Sequence, residues 1–368
     1  MGDISNTSIA NEPLLVVDDL KTHFRLKAGD VKAVDGVSLT LDRGKTLGVV
    51  GESGSGKTVL ARTIMGLNLG ANVQTSGSVL YQGREILGLK AKQMRNYWGR
   101  EISMVFQDPM TSLNPVVKIG RQVTEHLRHH LDMDKDEANE VALQLLREVR
   151  IPEAKERLDS YPHQLSGGMR QRVSIAIALA CGPKLLFADE PTTALDVTVQ
   201  HQIMNLLARE QNDRDMAMIL VTHDLGVVAG RTDEIAVMYA GRVVERARTR
   251  DLFADVKMPY TEALLRSIPR TTQRNHTRLA AIPGRPPDLI NPPKGCAFAP
   301  RCAYAQDICH EEMPQLREAG PGHQFRCHFP VGSPEGLKAF QDNLAAGLPQ
   351  AVSIKLHADS VAEQEGAA

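Results

Sequence analysis

The octet GESGSGKT at residues 51–58 alternates glycines with hydroxyl side chains and closes on a lysine and a threonine. That composition suits phosphate chemistry. Gly54 and Gly56 let the backbone curl, so that successive N–H groups and the start of a following helix point at phosphate oxygens. Lys57 would bring a fixed positive charge to the β- and γ-phosphates, and the Thr58 hydroxyl would complete a Mg²⁺ shell. Further along, KLLFADE (184–190) ends in two adjacent carboxylates. Side chains alternate along a strand, so Asp189 and Glu190 are free to do different work. Asp189 suits the second shell of the Mg²⁺, and Glu190 suits a general base that polarises an attacking water. A third run, MAMILVTHD (216–224), ends at His223.

The elements that must position these groups are legible in the same stretches. TLGVV (46–50) is an apolar, β-branched strand, and the helical pattern TVLARTIMGL follows the octet, giving the strand–loop–helix context that a phosphate-binding loop requires. All three apolar strands end in chemistry at their C-terminal edges, where open α/β sheets bind ligands. This reading is a nucleotide hydrolase for ATP or GTP. A second Gly-Gly pair, in LSGGMRQR (165–172), opens the helical run VSIAIALA and makes another helix start able to face phosphate. One chain has no need of two such ends so far apart, so this one is expected to cover the nucleotide of a second copy. In DEANEVALQLLREVRI (136–151) the apolar residues at 138, 141, 142, 145, 146 and 149 predict an amphipathic helix ended by Pro152. DEIAVMYAGRVVERA (233–247) predicts two hairpin strands.

Bulk properties exclude several classes. The chain has 368 residues, 42% of them apolar, which is enough for one large domain with an appendage. Its formal net charge of −1 argues against a general nucleic-acid binder. No apolar run approaches the length of a membrane span. MGDISNTSIANEP lacks the features of a secretory signal, and Asn6 stands where myristoylation wants Ser or Thr, so the chain is expected to stay in the cytoplasm.

Six motifs in order resemble the nucleotide-binding subunit of an ABC transporter: GESGSGKT as Walker A, FQDPMTSLNP (106–115) as the Q-loop, LSGGMRQR as the signature, LLFADE as Walker B, PTTALD (191–196) as the D-loop and THD as the switch-histidine strand. The resemblance covers roughly residues 12–330. It implies an α/β fold with a P-loop (RecA-like) ATPase core at 12–250, an antiparallel β subdomain and a helical subdomain at about 108–182 that receives membrane partners. It implies that Gly51, Ser53, Gly54, Ser55, Gly56, Lys57 and Thr58 bind ATP. Mg²⁺ would be held through Thr58, Gln107 and Asp189, with catalysis by Glu190, His223 and Gln107. Ser166, Gly167, Gly168 and Gln171 would meet the nucleotide of the partner subunit, and Asp196 would reach across the dimer. Phe24 is either the aromatic that stacks on adenine or an edge-strand core residue.

After about residue 268 the composition changes. Pro269, Pro283, Pro286, Pro287, Pro292 and Pro293 predict a loop, and four of the five cysteines follow as C-x5-C-x6-C-x17-C: Cys296, Cys302, Cys309 and Cys327. In a reducing compartment disulfides are the least expected use. Spacing alone leaves zinc, iron–sulfur and unliganded thiols open, with His310, His323 and His328 nearby. Cys181 reads as a small core residue. MPYTEALLRSIPR, the proline loop and the cysteine block together resemble the C-terminal extension of peptide-importer ATPases, which implies a [4Fe–4S] cluster on these four cysteines within a loop-rich, metal-binding extension at 251–330. Residues 1–11 and 331–368 read as weakly ordered tails.

The resemblance further implies a second ATP-binding subunit (a paralogue in the peptide group), two integral membrane permease subunits, an extracytoplasmic solute-binding protein as an indirect partner, and a place on the cytoplasmic face of the inner membrane. Nickel or another small solute is the alternative cargo. A soluble ABC protein of translation or repair fits poorly, because the chain has one motif set and no sustained heptads. Redox-partner motifs are also missing.

Overall fold

A computed structural model describes residues 12–108, 112–193, 195–268 and 282–355. Residues 109–111 of the Q-loop segment, Ala194 of the D-loop, Pro269, the N-terminal tail and the last thirteen residues lie outside these. The strands are β1 (Leu15–Leu26), β2 (Gly29–Leu41), β3 (Thr46–Val50), β4 (Val73–Tyr81), β5 (Arg84–Glu85), β6 (Ile102–Val105), β7 (Leu185–Asp189), β8 (Ala217–Thr222), β9 (Glu234–Tyr239), β10 (Arg242–Arg248), β11 (Arg317–Gly320) and β12 (His323–Phe325).

Two sheets divide them. An eight-stranded sheet runs β11-β12-β10-β9-β3-β8-β7-β6, parallel from β9 to β6 and antiparallel beyond. A separate four-stranded antiparallel sheet, β2-β1-β4-β5, packs against one face of it. The parallel strands are apolar at nearly every position because both faces are covered. Leu185 and Phe187 of β7, Ile219 and Val221 of β8 and Ala236 and Met238 of β9 join a core shared with β1, β2 and the helix Lys57–Ile64. Their alternates Leu186, Ala188, Met218, Leu220, Ile235 and Val237 join a second core with the helices on the other face.

That second core holds the helices Ile119–His130, Lys135–Glu148, Gly167–Leu179 and Val197–Asp213. Lys135–Glu148 is the amphipathic helix predicted around 138–149. Asp134 caps it, accepting from the N–H groups of Asp136 at 2.8 Å and Glu137 at 2.9 Å, while Glu137 returns a bond to the Asp134 N–H. The helix stops because Arg150 takes a left-handed φ of 58°, ahead of Pro152. The predicted hairpin is β9–β10, with Ala240 and Gly241 both at positive φ, which matches the twist of the strands it joins.

Two expectations for the C-terminal part need correction. Residues 331–368 were read as weakly ordered, yet Pro334–Ala345 is a helix. Ser333 caps it, Pro334 occupies its first turn, and Asn343 is buried, donating to the carbonyls of Ala303 and Ala305 at 2.9 Å each. The extension at 251–330 was also expected to be loop-rich. Instead Phe298, Tyr304, Phe325 and three of the cysteines share the core of the ATPase half. The rings of Tyr239, Tyr260 and Phe298 meet at centroid distances of 4.5, 5.4 and 5.3 Å, each pair adding about 0.5–1.5 kcal/mol beyond burial. Strand β12 pairs with β10, extending the main sheet, and buried Glu245 of β10 accepts from His323 at 2.8 Å and from the N–H groups of Lys257 and Met258. Few of these contacts are local in sequence.

Candidate functional site

The glycine loop follows β3 directly. Gly54 has φ 81° with open space beside it, and Gly56 has φ 101° with the Ala33 carbonyl oxygen standing where a Cβ would go, so a side chain at Gly56 would collide with backbone. Lys57 folds back over the loop, donating to the carbonyls of Gly51 at 2.7 Å and Glu52 at 2.9 Å. Burial lowers the pKa of its ammonium, and Glu190, Asp189 and Glu52 pull the other way. Among the described residues the buried Ser55 hydroxyl has no hydrogen-bond partner. An unpartnered hydroxyl beside open backbone and a confined cation suits an oxygen-rich anion such as a nucleotide phosphate.

Beside the loop, the Thr58 hydroxyl donates to Asp189 Oδ1 at 3.0 Å. Burial raises the Asp189 pKa; the Thr58 hydrogen bond opposes this and the neighbouring Glu190 adds to it. These hard oxygens suit Mg²⁺. Glu190 turns the chain sharply with a left-handed φ of 43°, a conformation that costs a non-glycine residue about 1–3 kcal/mol and collects at functional sites. One oxygen of its carboxylate, Oε2, then receives Gln107 Nε2 at 3.1 Å and the Thr193 hydroxyl at 2.8 Å, and faces His223 Nδ1 at 3.3 Å. Three residues far from one another in sequence, Gln107, Thr193 and His223, meet on a single carboxylate. Gln107, Asp189, Glu190 and His223 were singled out in the sequence. Thr193 was not, although it lies in the quoted PTTALD.

Ser166 caps the helix Gly167–Leu179, accepting from the Met169 N–H at 3.3 Å, and is exposed. Among the described residues neither it nor Gly168 hydrogen-bonds to the glycine loop. Gln171 departs from expectation. It is 2% exposed, because from Gln171 onward nearly every residue of the helix Gly167–Leu179 is buried, whichever way it faces. Asp196 caps the helix Val197–Asp213 through Val199 N–H at 2.9 Å and stays exposed. Phe24 lies half-buried on β1 opposite Val31 and Val73, on the strand pair whose Ala33 abuts Gly56. Cys181, expected in the core, is half-buried, its thiol near the His126 carbonyl at 3.6 Å.

In the extension, Cys302, Cys309 and Cys327 are buried and Cys296 is half-buried. The Cys296 N–H donates to the Cys309 carbonyl at 2.7 Å, and the Tyr304 N–H points at Cys302 Sγ at 3.3 Å. Burial raises all four thiol pKa values, Cys296 to about 11, and the neighbouring thiols raise those of Cys296, Cys302 and Cys327 further. His323 is committed to Glu245, and His328 lies 3.0 Å from the Glu312 carbonyl. Among the described residues no group of three or more His, Cys, Asp or Glu side chains is arranged to hold a metal ion. The expected metal-binding extension is therefore not seen as such. The donor chemistry, four neighbouring thiols with the Tyr304 N–H aimed at the Cys302 sulfur, suits a thiolate-bound group.

Sequence reasoning missed the residues that hold the loop from outside. The Tyr260 hydroxyl accepts the Glu52 N–H at 2.8 Å, and Arg301 grips the Glu52 carboxylate with both arms at 2.6 and 2.9 Å. The pair is mostly buried, and each such charged bond is worth about 1.5–3 kcal/mol. Tyr260 fell inside a quoted stretch, but its target lies 208 positions away.

Residues 34–193 match the ABC transporter family, and residues 244–309 match the oligopeptide/dipeptide transporter C-terminal region. The chain is 50% identical over 318 residues to the oligopeptide transport ATP-binding protein OppD of Salmonella typhimurium, covering 86% of this chain and 94% of that protein. It is likewise 50% identical over 316 residues to the dipeptide transport ATP-binding protein DppD of Lactococcus lactis subsp. cremoris, covering 86% and 90%. Among solved structures, the dimeric ATP-binding cassette MJ0796 bound to ADP and Pi superposes with a TM-score of 0.59 at 27% identity, over 64% of this chain and 99% of that one. No helix among the described residues is long and apolar enough to cross a membrane. With the glycine loop, the paired carboxylates and His223 assembled at the C-terminal ends of the parallel strands, the chain belongs to the ABC transporter ATP-binding subunits of the oligopeptide/dipeptide group, and it is an ATPase.

Proposed function

We propose that this ATPase energises import of small peptides, as the names of its relatives suggest, with nickel or another small solute as the alternative cargo. Two ATP-binding subunits, this chain and a paralogue, would close on two nucleotides at the cytoplasmic face of the inner membrane and drive two permease subunits fed by a solute-binding protein. The observation that carries the hydrolytic reading is the meeting of Gln107, Thr193 and His223 on Glu190. Glu190 takes a proton from water, His223 and Gln107 orient that water, and Lys57 with the loop N–H groups holds the phosphates. Bound Mg²⁺, held through Thr58 and Gln107 with Asp189 behind, would neutralise developing phosphate charge. Phe24 would flank the adenine. Reconstituted with its permease partners in vesicles, the complex should accumulate labelled di- or oligopeptide only with ATP. Accumulation of nickel and no peptide would select the alternative cargo.

Ser166 and Gly168 would act on the partner's nucleotide, because their helix end meets no phosphate loop within its own chain. Ser166→Ala or Gly168→Asp in one chain of a mixed dimer should then impair hydrolysis at the opposite chain's glycine loop. Loss confined to the mutant chain's own loop would contradict the sandwich.

Cys296, Cys302, Cys309 and Cys327 are proposed as ligands of one [4Fe–4S] cluster, supported by their buried thiols and the Tyr304 N–H aimed at the Cys302 sulfur. The cluster would cross-link the extension, and the cysteines must give up their protons to hold it. Protein purified without oxygen should carry about four irons per chain. Stoichiometric zinc without iron, or no metal, would refute this assignment.

A further inference from the structure

Glu52 is the second residue of the glycine loop, yet its N–H and its carboxylate are both held from beyond residue 258. Tyr260 accepts the N–H, and Arg301 takes the carboxylate in a two-pronged ion pair at 2.6 and 2.9 Å. The Glu52 carbonyl in turn receives Lys57 Nζ at 2.9 Å, so one residue joins the phosphate-seeking cation to the C-terminal extension. Arg301 is committed to this place. Its side chain is 3% exposed, and its remaining N–H groups reach Pro283 O at 2.8 Å, Tyr239 Oη at 3.2 Å and Ile282 O at 3.3 Å. It ends the 3₁₀ turn Ala299–Arg301, whose Ala299 N–H bonds the Cys296 carbonyl at 3.0 Å, and Cys302 follows at once. A second strap from the same extension, Leu289 O, accepts the Lys32 N–H at 3.1 Å on β2.

The charges sharpen the point. An uncompensated carboxylate in a loop built for phosphate repels its ligand, and a guanidinium fork is the group that neutralises and orients a carboxylate at once. We propose that Arg301 is a positioning residue for nucleotide binding: acting through Glu52, it holds the glycine loop in its binding shape, so that affinity for ATP depends on the folded cysteine-bearing extension. The proposal rests on residues 51–58 being the phosphate-binding loop. It stands whichever metal the cysteines take.

The test is calorimetric titration of the full chain with Mg²⁺ and a non-hydrolysable ATP analogue, alongside thermal melting. Arg301→Met should raise Kd about tenfold, the size of one charged hydrogen bond lost. Arg301→Lys, which keeps the charge without the fork, should raise it several-fold and serves if the methionine variant does not fold. Adding Glu52→Gln to Arg301→Met should make binding no weaker than Arg301→Met alone, since both act on one contact. A Kd within about twofold of wild type, with or without a lower melting temperature, would make Arg301 a mere staple and overturn the proposal. So would effects of the two substitutions that multiply. Lys57→Ala, run in parallel, separates the failures: unchanged binding in that variant overturns the loop reading itself.

Discussion

A chain carrying Glu190→Gln should bind ATP with near wild-type affinity and hydrolyse it about 10²–10⁴-fold more slowly, the usual cost of losing a general base. The substitution spares the surroundings. Gln107 and Thr193 donate to Glu190 Oε2, and a glutamine carbonyl can still accept from both. What disappears is an atom able to take a proton from water at a position that the chain reaches by holding φ at 43°. Phosphate release by the purified mutant complex is the measurement, and ATP-bound dimers should accumulate on gel filtration. Turnover near wild type would remove Glu190 from its role.

Lys57→Ala should weaken nucleotide binding by about 10²-fold or more, since two charged hydrogen bonds to phosphate at about 1.5 kcal/mol each are lost. The loop itself should survive. Its glycines set its path, and Glu52 keeps Tyr260 and Arg301, although the Gly51 carbonyl loses its donor. Burial already disfavours the free ammonium, so the cation gains most when phosphates replace the two carbonyls it leans on. Unchanged affinity by calorimetry would count against this account, whatever the melting temperature does.

What the sequence revealed and what it hid divide along a physical line. The catalytic edge was legible because phosphate and water chemistry demand particular residue types at particular spacings, as in the octet ending at Thr58 and the strand ending at Asp189 and Glu190. Strands β3, β7 and β8 were legible because both faces are buried and the apolar runs are continuous. The grip of Arg301 on Glu52 was hidden because the partners lie 249 positions apart and no local pattern announces such a pair. The helix Pro334–Ala345 was overlooked for a different reason. Ser333, Pro334 and the spacing of Ala339, Phe340 and Leu344 are the marks of a helix start and a packed face, but alanine, glycine and glutamine dominated the composition. Gln171 was misplaced because motif position does not say how deeply a helical side chain is buried.

The strand order has a consequence for synthesis at the ribosome. β3, which carries the glycine loop, sits between β8 and β9, and neither exists until the chain has grown well past residue 216. The β1–β2–β4 sheet has its hydrogen-bonding partners in hand by Tyr81, whereas β3 must wait with both edges bare. At about 5–20 residues per second the wait is on the order of ten seconds or more, with an apolar strand unpaired throughout. Nascent chains stopped short of β8 should therefore aggregate or recruit chaperones more than the full-length chain does.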